Sequence, residues 1–213
     1  MPELIACIIA YNEEVMLPGC LDSLVGKVDR IVLVEGRIAA YPGEGVHSTD
    51  RTVEIAERYG CEIITQETPY ENEAAMRQNY LVGKDGDWYV LIDTDERVMT
   101  PLPAVSAFPS DSIAYAVDSH IIGVKNHIWR PRIFKHKGVM EFRAIHDALF
   151  SDGVLISRPQ DTPKLYSVWF GHYQQLRNKE RLAQKHEYYK TGYAHEAAYR
   201  VEWGMWNIPG DTK

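Results

Sequence analysis

Residues 88–96 of this chain read WYVLIDTDE, an apolar run that ends abruptly in acidic side chains. Apolar runs of this length between polar residues are typical of interior strands of a parallel sheet. In open α/β sheets, ligands bind beyond the carboxyl ends of such strands, which is where Asp93, Asp95 and Glu96 fall. Carboxylates packed this closely repel one another unless a cation or solvent relieves them, and Mg²⁺ and Mn²⁺ prefer oxygen ligands. The stretch predicts a metal–phosphate site or, more simply, a solvated acidic turn.

Composition and charge limit the class of protein. The chain has 213 residues with 45% hydrophobic and 25% charged side chains, as expected for one globular domain. Its formal net charge of −7 argues against nucleic acid or an anionic membrane surface as the main partner. The cysteines, Cys7, Cys20 and Cys61, lack metal-ligand spacing and favour a reducing compartment. Because no apolar stretch approaches the roughly 20 residues of a membrane span and the N-terminus is not signal-like, we expect a soluble, cytoplasmic protein.

The first half of the chain alternates apolar runs with amphipathic segments. Alternation at this spacing predicts an α/β fold in which right-handed crossovers join parallel strands. Pro18 suits the first turn of a helix, and Gly60 suits the end of another. The predicted elements are strands at 4–10, 30–35, 61–65 and 88–92 and helices at 18–25, 51–59 and 71–82.

The pattern changes after Thr100, because the prolines within residues 100–109 predict a loop or broken helix. Alternating residues at 113–124 and 128–135 predict antiparallel strands, with further short strands at 154–157 and 165–170 and a helix at 176–190. We expect one domain over residues 1–213. Its parts are a mainly parallel central sheet with helices on both faces in 1–99, a smaller antiparallel portion in 100–175, and a C-terminal helix and aromatic tail in 176–213.

The order of five segments in the first half resembles that of inverting family 2 glycosyltransferases. They are ACIIAYNEE (6–14), DRIVLVEG (29–36), HSTDRTVEIAERYG (47–60), ENEAAMRQNYL (71–81) and DWYVLIDTDERV (87–98). The resemblance continues in WRPRIFKHKG (129–138), FRAIHDALF (142–150) and FGHY (170–173). It implies the GT-A fold, a Rossmann-like nucleotide-sugar-binding α/β domain with an Asp-x-Asp motif, its donor half in 1–99 and its acceptor half in 100–175.

The resemblance also implies a metal and a donor substrate at the acids after the fourth strand. Asp93 would hold the ribose or share the cation, Asp95 would bind it directly, and His172 would add a ligand. Mn²⁺ or Mg²⁺ is the expected cofactor, and Mn²⁺ is preferred if the imidazole binds. The expected donor is a nucleoside-diphosphate sugar, with a UDP-sugar favoured. The residues implied to bind it are Tyr11, Asn12, Glu13, Glu35, Asp50, Arg77, Asp93 and Thr94.

Transfer with inversion by single displacement needs a base on the acceptor side and no covalent nucleophile. Asp147 matches the position of that base in the family, and His146 would orient it or touch the donor phosphate. The simpler interpretation is that this pair caps a turn. The sequence does not identify the acceptor. The alternative to an enzyme is a catalytically silent nucleotide-sugar-binding or scaffold protein on the same fold.

Several site residues also have simpler interpretations. Asp50 can cap the helix that follows it, and Arg77 can pair with Glu73 four residues earlier on one helical face. Glu96 faces the acceptor or pairs with its neighbour Arg97. A lone histidine such as His172 is often an ordinary surface or core residue.

Two segments depart from the family pattern or extend beyond it. Residues 37–46 are an insertion before Ser48-Thr49-Asp50, which either covers the nucleotide or displaces it. The aromatic side chains of the last 26 residues either stack on an acceptor sugar or pack onto the domain or a second subunit, so a homodimer is worth testing. They are Tyr188, Tyr189, Tyr193, Tyr199, Trp203 and Trp206.

Overall fold

The computed structural model describes residues 1–109, 112–124, 127–143, 148–158, 160–177 and 179–192. These residues form an α/β fold with one mixed eight-stranded sheet and a separate three-stranded antiparallel sheet, in agreement with the predicted fold class. The predicted aromatic tail from Tyr193 lies outside the described residues, as do His146 and Asp147.

The first half builds the parallel part of the large sheet. Its strands are β1 (Leu4–Ala10), β2 (Arg30–Glu35), β3 (Glu62–Ile64) and β4 (Trp88–Leu91), in the order β3-β2-β1-β4 and all parallel. Three helices connect them: α1 (Leu17–Leu24), α2 (Thr52–Arg58) and α3 (Glu73–Gln78). The carboxyl ends of β1, β2 and β4 therefore meet at one edge, as predicted.

The second half extends the same sheet. The strands β5 (Glu96–Val98), β6 (Ala114–Ile121), β7 (Ile128–Lys135) and β11 (Lys164–His172) complete the order β4-β7-β6-β11-β5. β7 is antiparallel to β6, as predicted, and also to β4, whereas β11 runs parallel to β6. The small sheet contains β8 (Met140–Phe142), β9 (Leu149–Ser151) and β10 (Val154–Leu155), and α4 (Lys179–Gly192) follows β11.

The large sheet buries apolar side chains on both faces. One face packs against α1 and α2, whose Leu17, Leu21 and Ile55 share a cluster with Ile8 of β1. The opposite face packs against α3 and the small sheet. Helices therefore cover both faces, and this burial explains why β1 and β4 are nearly continuous apolar runs.

Several predicted boundaries were wrong, among them those of the third helix and the third strand. The helix expected to reach Val82 ends at Gln78, because the amides of Asn79, Tyr80 and Leu81 bond three residues back and tighten the last turn. The predicted third strand loses both end residues, 61 and 65, and spans Glu62–Ile64 only. None of the helices within the described residues has the length and apolar content needed to cross a membrane.

Candidate functional site

An open cavity of about 110 Å³ lies at the carboxyl edge of the parallel strands. We call it the main cavity. Its wall is apolar and aromatic at one end and charged at the other. Its lining includes Tyr11, Glu13, Tyr41, Glu73, Arg77, Asp93, Thr94, Arg177, Arg181 and Tyr188. Five residues predicted from the sequence therefore come together here: Tyr11, Glu13, Arg77, Asp93 and Thr94.

Two buried arginines hold Asp93 at the end of β4. Nη2 of Arg77 donates to one carboxylate oxygen at 2.9 Å, and Nη2 of Arg132 donates to the other at 3.0 Å. Arg77 also binds Glu73, so the predicted pairing on one helical face is confirmed. Arg132 binds the Glu96 carboxylate at 3.1 Å, and Arg97 donates to the Glu96 backbone carbonyl instead, so the alternative of a Glu96–Arg97 ion pair was wrong. The Asp93 side chain keeps 27% exposure.

Asp95 is fully buried, and a third arginine reaches it from the segment before α4. Nε of Arg177 donates to its carboxylate at 3.0 Å, and a second nitrogen of Arg177 reaches the Thr94 hydroxyl at 3.1 Å. His172 lies on the other side, with Nε2 at 3.2 Å from the same Asp95 oxygen. The structure thus brings together Asp95 and His172, which are 77 positions apart in the sequence.

Glu13 completes this network after β1. Its carboxylate accepts from Arg177 and, at 3.4 Å, from Arg181. Burial by itself lowers the pKa of Arg177, but the carboxylates of Glu13 and Asp95 outweigh it and hold that pKa above its ordinary value. Arg177 therefore keeps its charge and neutralises acids that would otherwise repel one another.

The inserted loop forms part of the cavity wall. The Arg37 amide donates to the Val46 carbonyl at 2.8 Å and closes the loop, and the Arg37 guanidinium binds carbonyls within it. The Tyr11 hydroxyl donates to the Glu44 carbonyl at 2.9 Å, which anchors the loop over β1. Tyr41 then lies beside Tyr11, with ring centroids 6.2 Å apart. The insertion therefore covers the apolar end of the main cavity.

Two side chains of α4, Arg181 and Tyr188, close that end. The Arg181 guanidinium lies 4.6 Å from the centre of the Tyr41 ring and 5.6 Å from that of Tyr11. Tyr188 of α4 is buried, with its ring 5.4 Å from Tyr41. Flat aromatic faces beside a cation suit the stacking of a planar heterocycle.

The remaining donor-site predictions fall beside the main cavity. Glu35 is completely buried, and its oxygens contact His47 at 2.9 Å and the Ser48 amide at 2.5 Å. Asn12 and Asp50 line a neighbouring cavity. Asp50 accepts from the amide of Thr52, the first residue of α2, at 2.9 Å, but the N-cap position belongs to Arg51, whose side chain makes no capping bond. The predicted base Asp147 and its partner His146 lie outside the described residues.

Sequence reasoning missed the arginines at the C-terminal side of the site. Arg177 and Arg181 occur in a basic stretch that reads as a solvated helix face, yet both turn inward. Tyr41 was missed because its loop has no counterpart in the family pattern. The available signal was the spacing of Arg177 and Arg181, which is that of neighbours on one helix face.

The side chains at the acids are of the chemical type that Mg²⁺ and Mn²⁺ bind, although the ligand atoms of Asp93, Asp95 and His172 do not all lie within 4.8 Å of one another. Asp93 and Asp95 offer carboxylate oxygens, Asp93 opens to the cavity, and His172 adds an imidazole. The His172 Nδ1 is buried with no hydrogen-bond partner among the described residues. Five acids and four arginines meet here, which leaves one net negative charge: Glu13, Glu73, Asp93, Asp95 and Glu96 against Arg77, Arg132, Arg177 and Arg181. Binding of an anion would therefore benefit from an added cation.

Comparison with known proteins yields distant likenesses. No protein-family profile matches the chain. A TPR repeat-containing protein of Synechococcus elongatus is 23% identical over 175 residues, which are 79% of this chain and 40% of that protein. Residues 1–349 of Staphylococcus aureus TarS align with a TM-score of 0.46 and 20% identity, over 59% of this chain and 38% of that one. Glucosyl-3-phosphoglycerate synthase of Mycobacterium tuberculosis, solved with Mn²⁺, UDP and glucosyl-3-phosphoglycerate, aligns with a TM-score of 0.39 and 23% identity, over 57% of this chain and 45% of that one.

Proposed function

We propose that this chain is a metal-dependent inverting glycosyltransferase of family 2 type with a GT-A fold. It would move a sugar from a nucleoside-diphosphate sugar, with UDP-sugar favoured, to an acceptor by single displacement. The observation that carries the proposal is the main cavity. It joins an aromatic end at Tyr11 and Tyr41 to a charged end at Arg77 and Asp93, at the sheet edge where α/β folds bind ligands.

The two ends suit the two parts of a nucleotide sugar. The base would stack against the Tyr11 and Tyr41 rings, with Arg181 beside them. The ribose would lie near Asp93, whose side chain is exposed to the cavity. The diphosphate would then reach the charged end, where Arg77 is buried and fixed by Glu73 and Asp93. A preorganised cation of this kind stabilises the charge of a leaving diphosphate.

Asp93, Asp95 and His172 are the residues that would hold Mn²⁺ or Mg²⁺. When bound, the cation supplies Lewis-acid stabilisation of the departing nucleoside diphosphate. Glu13 and Thr94 orient Arg177 beside Asp95, and the buried Arg132 fixes Asp93 and Glu96. On the acceptor side, Asp147 would remove the proton of the attacking hydroxyl, with His146 orienting it.

The proposal is tested by thermal unfolding with UDP, GDP, CDP or dTDP, each with and without Mn²⁺, because a ligand that binds the native state raises its stability. We expect the largest shift with UDP and Mn²⁺ together. Asp95→Asn should abolish the part of the shift that needs Mn²⁺. The control Asp161→Asn changes an exposed acid that pairs with Arg158, far from the main cavity in its contacts, and it should behave as the parent protein.

Transfer itself is tested on the donor that binds. Asp147→Asn should keep nucleotide binding and lose transfer, and transfer that survives this change would place the base elsewhere. Nucleotide binding without turnover of any donor sugar would favour the silent scaffold instead. The arginine contacts already made by Asp93 and Asp95 are the observation that favours this second candidate. Absence of any nucleotide shift would refute both.

A further inference from the structure

A second group of metal-ligating side chains lies on β6 and directly before β7. We call Asp118, His120 and His127 the Asp118 cluster. Nε2 of His120 lies 2.9 Å and Nδ1 of His127 lies 2.8 Å from the same oxygen, Oδ2 of Asp118. Within the described residues, it is the one group of three or more such side chains whose ligand atoms all lie within 4.8 Å of one another.

The strand geometry explains why these side chains converge. Asp118 and His120 are two positions apart on β6, so they project from the same face. The antiparallel register pairs Asp118 with Trp129 and Ser119 with Ile128, so its next step places His127 opposite His120. Residues directly opposite each other on neighbouring strands lie close on one face. The antiparallel pairing of β6 with β7 therefore brings the three side chains of the cluster together.

We propose that the Asp118 cluster binds one divalent transition-metal ion of the zinc class, such as Zn²⁺ or Co²⁺. Two imidazoles and one carboxylate suit this class, whereas Mg²⁺ and Mn²⁺ favour sites made of oxygen donors. The His127 side chain is 69% exposed, so water or a substrate oxygen can complete the coordination shell. Three protein ligands with one open position are typical of zinc sites that bind an exogenous ligand. The proposal is independent of the proposed transferase function.

The carboxylate of Asp118 supports a cation at this point. Its second oxygen, Oδ1, is buried and has no hydrogen-bond partner among the residues that the structure describes. Leaving a buried carboxylate oxygen without a hydrogen bond costs free energy. A cation bound to the Asp118 carboxylate would offset that cost, because it neutralises the charge of the group. In the metal-free protein, imidazole N–H groups can donate to Oδ2 instead, which holds the ligands in place before the ion arrives.

The test is titration of the chelator-treated full chain with Co²⁺ and Zn²⁺. Co²⁺ binding is followed by its visible absorption, which reports nitrogen and oxygen ligation directly, and Zn²⁺ binding is followed by calorimetry. We expect one ion per chain at the Asp118 cluster, counted apart from any ion at the acids of the main cavity, and competition between the two metals for it. His127→Gln and Asp118→Asn should each weaken binding by at least about 100-fold, since even residues behind the ligands contribute about 10- to 100-fold.

The controls separate this site from the acids of the main cavity. His136→Gln replaces a histidine whose ring contacts the Tyr89 hydroxyl, and it should leave Co²⁺ binding unchanged. Asp95→Asn should also leave it unchanged. Because His127 is mostly exposed, its variant is expected to fold, which circular dichroism verifies. Unchanged Co²⁺ affinity in His127→Gln, or loss of the spectrum in Asp95→Asn, would overturn the proposal.

Discussion

Arg177 is the residue on which the charge balance of the main cavity depends most. It contacts Glu13, Thr94 and Asp95, and it is almost entirely buried. Arg177→Met removes the positive charge but keeps a long apolar side chain in its place. Breaking a buried ion pair from one side costs about 3–5 kcal/mol, because the remaining charge stays desolvated.

The lower end of that range applies here, for two structural reasons. Glu13 keeps Arg181 at 3.4 Å, and Asp95 keeps His172 at 3.2 Å. We therefore expect Arg177→Met to lower the free energy of unfolding by about 3 kcal/mol in the absence of metal. Mn²⁺ should then stabilise the variant more than the parent protein, because Asp95 no longer binds the guanidinium. At about 100 times its dissociation constant, an ion contributes about 2.7 kcal/mol, which nearly restores the loss.

Urea unfolding of both proteins, with and without Mn²⁺, measures these free energies. Arg177→Lys is the matched control, since it keeps the charge and loses only the planar fork of donors, and its loss should be smaller. Two results would refute the reasoning. One is an Arg177→Met protein as stable as the parent. The other is an equal effect of Mn²⁺ on the two proteins, which would mean that Asp95 does not bind the ion.

Two further predictions concern the inserted loop and the thiols. Gly43→Ala should weaken nucleotide binding measured by calorimetry, because a Cβ at this position, where φ is +148°, would lie 2.7 Å from the Tyr11 hydroxyl. Gly45→Ala is the control for backbone strain alone, since its Cβ would meet nothing closer than 3.9 Å. Equal losses in both variants would contradict the contact with Tyr11. Burial raises the pKa of Cys61 to about 11, so its reaction with a thiol reagent should speed up as pH rises from 8 towards 11. Cys7 and Cys20 are completely buried and have raised pKa values, so they should react only after unfolding. The number of labelled thiols per chain, measured against pH, checks both statements.

The sequence predicted three of the longer strands to the residue, whereas β6 ends three residues before the predicted 124 and β11 extends beyond the predicted 165–170. The bounds of β1, β2 and β7 agree with the predicted 4–10, 30–35 and 128–135. These strands carry enough residues for an apolar or alternating pattern to stand out. β5, β8 and β9 were missed, because strands of three residues carry no detectable period. Their positions depend on pairing with distant strands instead.

The sequence predicted the site residues that lie at the ends of recognisable strands, but not the residues that reach the site from far along the chain. Asp93 and Asp95 follow directly from the end of β4, and the sheet edge places them beside Tyr11. Arg132 lies 39 positions after its partner Asp93, and Arg177 lies 82 positions after its partner Asp95. A sequence pattern shows that such arginines exist, but their burial against specific carboxylates is decided by the strand order of the large sheet.

The position of Arg177 links the acids to the C-terminal segment. Arg177 and Arg181 join the start of α4 to Glu13, while Tyr188 of the same helix packs against Tyr41 of the inserted loop. An ion that takes Asp95 from Arg177 also removes one of the contacts that dock this segment. Because coupling between two binding equilibria is reciprocal, docking of α4 and occupation of Asp95 must then influence each other. Under the proposed function, the segment from Arg177 to Tyr188 therefore responds to the donor and its metal.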